Sequence, residues 1–331
     1  MLVCRPNHRL GNTVLLSPLV QEIETLYPGA EIDILACEAA DALFGGRFRV
    51  RRIFAVPHRV AHHLLHTIGL LRELRRSRYD LAIDACHGSQ SGRLMLALTR
   101  SRYKLGFPSK TTSPDSGWHA CDWPPHHAQR NVFLLRRARS GGTIASDYPM
   151  LDVGVNSEEA KEASRVVAIL SQEASAKGQR VVGIFTNATG AKRYDESWWV
   201  QFLTAFREAH PDVCIVDFVA AHGCSHLDGN VASFYSRNLR RMASFIANLD
   251  AFISADCGVM HLAVASGTPT LGLFRTTDPA KYAPYGGHNT GFVTEGMDAR
   301  QVAAIASRWL DHAVPDIAAA RSARSATSPY S

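Results

Sequence analysis

Two hydrophobic periods alternate along the chain. Apolar residues that recur every three or four positions indicate amphipathic helices, whereas short apolar or alternating runs indicate strands. In the first half, the strand-like runs are 1–4, 30–36, 50–56 and 79–84. The first helical segment begins at Asn12, a good N-cap. The helical segments that follow are 64–77, 91–99 and 128–140. Strands that alternate with helices predict a parallel sheet of the α/β class.

The same alternation continues in the second half. Strands are predicted at 180–185, 214–219, 251–255 and 270–274. Helices are predicted at 158–176, around Trp198 and Trp199, and at 239–249, 259–266 and 300–312. We therefore expect two α/β domains, 1–152 and 153–313, joined near 147–155. Residues 314–331 have no packing pattern and are expected to form a disordered tail.

The region 251–274 has the most specific local pattern, namely strand, tight polar turn, helix and strand. In a parallel βαβ unit the helix begins above the carboxyl end of the first strand, where α/β sheets bind ligands. The first helical turn suits a phosphate, and Gly258 allows a close approach of the ligand. Asp256 would accept hydrogen bonds from sugar hydroxyls, and His261 would reach an anion. Taken singly, Asp256 is better explained as an N-cap and His261 as a structural histidine.

Composition narrows the class of protein. The 331 residues are 46% hydrophobic and 20% charged, which is typical of a globular protein. No run of about 18 uncharged apolar residues is present, so a membrane span is not expected. Arg5 follows only three apolar positions, so a signal peptide is not expected either. These features predict a cytoplasmic protein.

The excess of basic over acidic residues lies in the first half of the chain. Residues 1–150 hold 20 Lys and Arg against 12 Asp and Glu, whereas the remainder is slightly acidic. Such an excess of positive charge is expected to bind nucleic acid, an acidic membrane surface or a phosphorylated glycolipid. The alternative is a solvated basic face without a partner. No nucleic-acid recognition motif is present, so nucleic acid is not the expected partner. The absence of Gly-x-Gly-x-x-Gly after an early strand disfavours a nicotinamide dehydrogenase.

Motifs in both halves resemble those of one family. From Ser254 the chain reads Ser-x-Asp-x-Gly-x-x-His-Leu-Ala, followed by Gly-Thr-Pro, Thr-Asp-Pro and Pro-Tyr-Gly at 267–269, 277–279 and 284–286. Near the N-terminus, Gly11, Leu15-Leu16, Pro18 and Tyr27-Pro28 follow the same family pattern. The chain thus resembles the family 9 glycosyltransferases, the lipopolysaccharide heptosyltransferase family, up to about residue 310.

The resemblance implies the GT-B arrangement, in which two Rossmann-like domains face each other across a central cleft. It implies an inverting, metal-independent glycosyltransferase without a cofactor. The C-terminal domain would bind a nucleotide sugar, with ADP-heptose as the implied donor. The N-terminal domain would bind an anionic glycolipid or lipopolysaccharide core at the surface of the inner membrane. The donor half has no Asp-x-Asp pair, which agrees with a site that uses no metal.

The resemblance assigns two segments to the donor. Small hydroxyl or amide side chains and a lysine would hold the diphosphate: Thr186, Asn187, Thr189 and Lys192. Lys192 would neutralise the leaving group. The turn and the helix after it would complete the donor site with Asp256, Cys257, Gly258 and His261. Arg275 stands where the family has glycine, and it would either add a cation near the donor or point away.

One departure from the family pattern concerns catalysis. The family's general base is an aspartate after the glycine, and this chain has Asn12 there. An amide does not accept a proton at neutral pH, so Asn12 cannot be that base. Asp84, His87 or His8 would serve instead, or stabilisation of the leaving group by Lys192 would supply most of the rate. The alternative is a catalytically silent homologue that still binds a nucleotide sugar.

The acceptor side is less specific in sequence. Cationic and glycine residues near the expected acceptor site are Arg9, Gly11, Lys104, Lys110 and Arg130. The irregular segment 107–127 is expected to form part of this site, because a long loop inside a compact domain is usually functional. Trp118 or Trp123 would stack on a sugar. A tethered surface loop is the alternative interpretation.

Overall fold

The structure is a computed structural model, and it describes residues 1–58, 63–107, 123–140, 144–170, 180–220, 225, 227 and 231–314. Several predictions fall wholly or partly outside these residues. They concern Lys110, Trp118, most of the segment 107–127 and residues 315–331 of the tail. The predicted helix 158–176 is described only as far as residue 170, and there it is helical.

The chain divides into two compact units, Met1–Gly154 and Val155–Ser331. The division lies two residues beyond the predicted boundary at 152. Each unit has its own sheet, and every strand pair within the two sheets is parallel. We refer to the units as the first and the second domain.

The sheet of the first domain has five strands in the order β3-β2-β1-β4-β5. Their bounds are Leu2–Cys4 (β1), Ile32–Cys37 (β2), Val50–Val56 (β3), Arg78–Asp84 (β4) and Arg100–Leu105 (β5). The helices of this domain are Leu10–Val14 (α1), Ser17–Leu26 (α2), Ala39–Phe44 (α3), Leu64–Arg76 (α4), Gln90–Leu98 (α5) and His127–Ser140 (α6).

The sheet of the second domain has six strands in the order β11-β10-β9-β6-β7-β8. Their bounds are Val181–Phe185 (β6), Cys214–Val219 (β7), Ala232–Tyr235 (β8), Ala251–Ala255 (β9), Thr270–Phe274 (β10) and Thr290–Val293 (β11). The helices are Ser157–Leu170 (α7), Glu196–Ala209 (α8), Leu239–Ile246 (α9), Gly258–Ala265 (α10), Pro279–Tyr282 (α11) and Ala299–Ala313 (α12).

Five interior strands are buried along their whole length, whereas β4 exposes Arg78 and Asp80. Strands β1, β2, β6, β9 and β10 contain no exposed residue. A parallel sheet is covered by helices on both faces, so its strands are almost continuously apolar. In the second domain the aromatic face of α8, with Trp199, Phe202 and Phe206, packs in one core with Ala306 and Leu310 of α12. This rigid core holds the loops at the carboxyl edge of the sheet.

Both sheets have a topological switch point at the same place in their order. In the first domain it lies between β1 and β4, and in the second between β6 and β9. At such a point the loops leave neighbouring strands toward opposite faces, and a crevice forms outside their carboxyl ends. The fold therefore predicts one binding position in each domain.

The predicted helix start at Asn12 is wrong. Helix α1 begins at Leu10 after Arg9, which has the extended backbone of an N-cap but no capping hydrogen bond from its side chain. The helical pattern is also interrupted, because a new helix starts at Ser17 with Pro18 in its first turn. Proline lacks an amide hydrogen and is therefore best accommodated in a first turn.

Several edge elements had no strong sequence signal. Strand β5 is mostly exposed, and β8 and β11 are only partly buried. An edge strand has one neighbour, so it lacks the continuous apolar run of a central strand. Helices α3 and α11 are too short to show a clear period.

Candidate active site

The turn between β9 and α10 lies at the switch point of the second domain. Asp256 follows β9, is 4% exposed, and its amide donates to the carbonyl of Leu273 at 3.1 Å. Cys257 is the N-cap, with an extended backbone, and α10 begins at Gly258. The first-turn amides of α10 therefore lie beside the carboxyl end of β9. This is the arrangement that favours a phosphate.

The loop after β6 brings a lysine to the same point. A single 3₁₀ turn, Gly190–Lys192, carries Lys192 to Asp256, with 2.7 Å between Nζ and Oδ2. The carboxylate is almost fully buried, and the lysine side chain is 30% exposed. The two residues are far apart in sequence, but they follow neighbouring strands of the sheet. An ion pair thus joins the two sides of the switch point, and part of the lysine side chain remains exposed.

A tyrosine lies beside this pair, and a histidine lies beside the tyrosine. The Nζ atom of Lys192 lies 5.9 Å from the ring centroid of Tyr282, within the range of a cation–π contact. The ring of His261 is 6.3 Å from the same tyrosine ring, and His261 is 3% exposed. His261 is therefore close to the lysine but is buried in α10.

The remaining predicted donor residues line the loop after β6. Thr186 is 3% exposed and directly follows the strand, Asn187 is half-buried, and Thr189 is exposed. Thr189 precedes the 3₁₀ turn and makes no capping bond with its side chain. Gly190 has φ of +62°, a conformation that favours glycine, and this lets the chain turn back toward Asp256.

Arg275 contacts the loop that carries Lys192. Its guanidinium donates to the carbonyl of Arg193 at 2.5 Å and lies 6.0 Å from the ring centroid of Tyr194. The Tyr194 hydroxyl is 2.6 Å from Oγ1 of Thr294, and burial raises the pKa of Tyr194 to about 12. Arg275 therefore points toward the loop that carries Lys192. Tyr194 and Thr294 were missed in the sequence because their pairing depends on the fold.

An open depression lies beside this loop. Its volume is about 590 Å³. Charged and small residues line it: Gly190, Ala191, Arg193, Asp195, Glu196, Arg275 and Thr276. The residues that line the depression include part of the predicted donor loop. Their side chains carry both positive and negative charges.

The switch point of the first domain presents different chemistry. Asn12 lies inside α1 and is half-buried, Gly11 is buried and Arg9 is exposed. The backbone amide of Arg9 donates to Oδ1 of Asn7 at 2.9 Å, which orders the loop after β1. No carboxylate occupies the position of Asn12, so this helix start offers an amide where the family pattern has a base.

Asp84 ends β4 but is hidden. It is 2% exposed, and its Oδ1 accepts from the amide of Cys86 at 2.9 Å. A Cβ atom at Gly92 would lie 2.3 Å from the same oxygen, so helix α5 packs directly on this carboxyl. Burial raises the pKa of Asp84 to about 6. The carboxyl at this strand end is therefore covered, and a role for Asp84 as the general base stays a prediction.

His87, three residues further on, is exposed. Its ring packs edge-on against Phe107 with centroids 5.2 Å apart. Partial burial lowers the pKa of His87, and the nearby charges of Arg130 and Arg93 lower it further. The imidazole is therefore neutral at physiological pH and can accept a proton. His8 is also exposed, and burial followed by the neighbouring His58 lowers its pKa.

The predicted cations of the acceptor side do not all converge. Nζ of Lys104 donates to the carbonyl of Ala97 at 3.0 Å, at the end of α5. Nε of Arg130 donates to the carbonyl of Pro124 at 2.8 Å, and its charge is felt by both His87 and His127. Burial and then Arg130 lower the pKa of His127 to about 4. Arg130 thus belongs to the group around His87, and Lys104 is tied to a helix end.

Arg5 was not predicted as a site residue. It follows β1 at the switch point and is only 7% exposed, and its guanidinium donates to the carbonyl of Ala85. Its position directly after an apolar strand was the available signal. Trp123 packs on Phe107 with ring centroids 5.1 Å apart, so one of the two predicted stacking residues lies beside His87 and Arg130.

The residues that the structure describes contain neither a cluster of metal ligands nor a membrane-spanning helix. Among them, no group of three or more His, Cys, Asp or Glu side chains is placed to hold a metal ion. No described helix is long and apolar enough to cross a membrane. Metal independence remains a prediction.

Comparison with solved structures defines the class of protein. The chain has the fold of the family 9 glycosyltransferase of Veillonella parvula, with a TM-score of 0.74 at 15% identity over 94% of this chain and 97% of that chain. Heptosyltransferase WaaC of E. coli with ADP gives a TM-score of 0.69 at 18% identity, over 95% and 99% of the two chains. The predicted GT-B class, with two Rossmann-like domains, is confirmed.

Sequence comparison then gives the family. The model of glycosyltransferase family 9 (heptosyltransferase) matches residues 68–304, so the chain belongs to this family and is a glycosyltransferase. Lipopolysaccharide core heptosyltransferase OpsX of Haemophilus influenzae is 21% identical over 299 residues, which cover 83% of this chain and 79% of the relative. Lipooligosaccharide heptosyltransferase 2 of the same organism is 23% identical over 295 residues, with 83% of each chain covered. The predicted family is confirmed.

Proposed function

We propose that this glycosyltransferase moves a heptose, or a related sugar, from ADP-heptose to a lipopolysaccharide core or related glycolipid. The reaction inverts the anomeric centre and uses neither a metal nor a cofactor. The second domain binds the nucleotide sugar and the first binds the acceptor, at the cytoplasmic face of the inner membrane. The names of the relatives support the choice of substrates, since they act on lipopolysaccharide or lipooligosaccharide.

The observation that carries the proposal is the Lys192–Asp256 pair beside the start of α10. A nucleoside diphosphate leaving group develops negative charge as the glycosidic bond breaks. The ammonium of Lys192 and the amides from Gly258 onward would receive this charge without a divalent cation. Asp256 keeps the ammonium in position before the donor arrives, and it then accepts a hydrogen bond from a sugar hydroxyl.

The bonds change in one displacement. The acceptor oxygen forms a bond to the anomeric carbon on the face opposite the diphosphate, through an oxocarbenium-like transition state. The bond between the anomeric carbon and the phosphate oxygen breaks, and its electron pair leaves with ADP. The acceptor hydroxyl loses one proton to a general base of the first domain.

We propose that His87 is this base. Asp84 is buried under α5, and Asn12 cannot accept a proton, whereas His87 is exposed and neutral at physiological pH. It follows β4, next to the strand that leads to Asn12, so it lies on the same crevice of the first sheet. Arg130 beside it would hold an anionic group of the acceptor.

A silent sugar-nucleotide-binding homologue is the second candidate, and Asn12 is the observation that favours it. A single-turnover assay with ADP-heptose and a Kdo–lipid A acceptor separates the two functions. The transferase proposal expects ADP release that depends on the acceptor. Donor binding without ADP release would support the silent homologue.

The Asn12→Asp variant sharpens this assay. If His87 already serves as the base, the carboxylate added at position 12 changes the rate by less than about tenfold. A gain of about a hundredfold or more would mean that the donor site is intact and that the natural chain lacks a base. Asn7→Asp, in the loop that precedes α1, controls for the added charge.

A further inference from the structure

Six arginines form a surface of the first domain that the proposed reaction does not use. They lie at the end of α4, at the start of β4 and on the edge strand β5: Arg72, Arg75, Arg76, Arg78, Arg100 and Arg102. All six are exposed, and within the described part of the chain none forms an ion pair. We call this surface the arginine patch.

The fold brings these residues together. Helix α4 packs against β3 and β5, and it ends two residues before Arg78. Arg78 and Arg100 are register partners in β4 and β5, so their backbones are about 4.8 Å apart. Arg102 lies on the same face of β5 as Arg100, and its guanidinium stacks 5.2 Å from the ring centroid of Tyr103.

The acidic residues nearest to the patch offset only part of its charge. Glu73, the acidic residue of α4, pairs with Arg52 at 2.7 Å. Asp80 of β4 is exposed on the same face of the sheet as Arg78, two residues away, and it offsets one of the six positive charges. The patch therefore keeps a net positive charge.

The outer face of α4 adds apolar groups to this charge. Leu65 is 87% exposed and Ile68 is 43% exposed, whereas Leu74 on the opposite side is fully buried. At 100° per residue, Leu65, Arg72 and Arg76 point in nearly the same direction. This face is thus apolar in its first turns and basic in its last turns.

We infer that the arginine patch and the exposed apolar residues of α4 dock the first domain on an anionic lipid surface. Guanidinium groups are attracted to anionic headgroups, and Leu65 and Ile68 would enter the boundary between headgroups and acyl chains. Tyr103, 59% exposed beside Arg102, suits the same boundary. A nucleic acid would meet the charge but would leave Leu65 and Ile68 in water. The inference deepens the proposed function, because a glycolipid acceptor lies in such a surface.

Vesicle flotation of the full chain tests this docking surface. We expect binding to phosphatidylcholine vesicles that contain phosphatidylglycerol, weaker binding as ionic strength rises, and none to phosphatidylcholine alone. Arg75→Gln/Arg76→Gln/Arg102→Gln should lower the partition coefficient about a hundredfold, at about fivefold for each charge. Leu65→Ser, which leaves all charges in place, should lower it about tenfold.

The control variant replaces arginines of the second domain by glutamine. Arg165→Gln/Arg308→Gln removes two exposed arginines of the second domain and should leave vesicle binding unchanged. All substituted residues are exposed, and the melting temperature of each variant reports that it is folded. Equal binding of the patch variant and the natural chain would overturn the inference, as would binding of an RNA oligomer in preference to anionic vesicles. The assay contains no nucleotide sugar, so its outcome is independent of whether the transfer reaction is correctly assigned.

Discussion

The two domains have the same arrangement of strands around the switch point, but the side chains at that point differ in chemistry. In the second domain a buried aspartate and an accessible lysine meet across β6 and β9, next to the start of α10. In the first domain an amide stands at Asn12, the carboxyl of Asp84 lies under α5, and an exposed imidazole follows β4. By our proposal, the site of the second domain receives an anion and the site of the first domain offers a neutral base.

In the function proposed above, leaving-group stabilisation and proton transfer are carried by separate parts of the chain. The second domain retains the family motif from Ser254 to Ala263 without a gap. The first domain departs from the family pattern at the residue that would take the proton. If turnover is to occur, another group of the first domain must take over that role.

The largest effect is expected for Lys192→Met. Loss of the ammonium leaves the departing diphosphate without its positive partner and isolates the buried carboxylate of Asp256. We expect kcat/KM for the donor to fall about a thousandfold, or about 4 kcal/mol. Lys281→Met removes another lysine, paired with Asp278 on the surface, and should change the rate less than about twofold. Equal losses in the two variants would contradict a special role for Lys192.

The His87→Gln variant tests the first domain in the same assay. Glutamine keeps hydrogen bonding but accepts no proton, so kcat should fall about a hundredfold while donor affinity is retained. In the natural enzyme, activity should be full above the lowered pKa of His87 and decline as pH falls through it, because the protonated imidazole is no base. The variant should lack this decline. His8→Gln is the matched control, and a larger loss there would assign the base to His8.

Gly92→Ala should damage stability more than chemistry. The added Cβ would lie 2.3 Å from Oδ1 of Asp84, so α5 must move away from β4. We expect the free energy of unfolding in urea to fall by about 2 kcal/mol. Gly69→Ala in α4 meets no atom within 4 Å and should stabilise by about 0.5–1 kcal/mol. Similar effects of the two substitutions would mean that α5 does not pack on Asp84.

The smallest effect is expected for Asp84→Asn. Because burial raises the pKa of Asp84 to about 6, the folded state holds this proton more tightly than the unfolded state does. Its contribution to stability is complete below the unfolded pKa and is lost as pH rises through about 6. The variant should therefore be more stable than the natural chain at about pH 8 and no more stable at about pH 4. A large loss of transfer activity in this variant would restore Asp84 as the base.

Much of the fold follows from the sequence because the central strands are buried on both faces. Continuous apolar runs mark β6, β7, β9 and β10, and the predicted strands agree with them to within one residue. The edge strands β8 and β11 lacked this signal. The start of α1 was misplaced because Asn12 resembles a cap, although the chain is already helical at Leu10.

The candidate site was predictable in part for a related reason. The strand–turn–helix pattern at Asp256 is local, and so is the phosphate preference of a helix start. The partnership of Lys192 with Asp256 and the contact of Arg275 with Tyr194 join distant segments, and only strand order reveals them. The burial of Asp84 also depends on α5, since an aspartate at a strand end is accessible in one fold and covered in another.

The most direct test of the account is a crystal structure of the full chain with ADP-heptose bound. We predict that the diphosphate contacts Nζ of Lys192 and the first amides of α10, with a sugar hydroxyl at the carboxylate of Asp256. A diphosphate bound at the sheet of the first domain, or anywhere remote from Lys192, would contradict it.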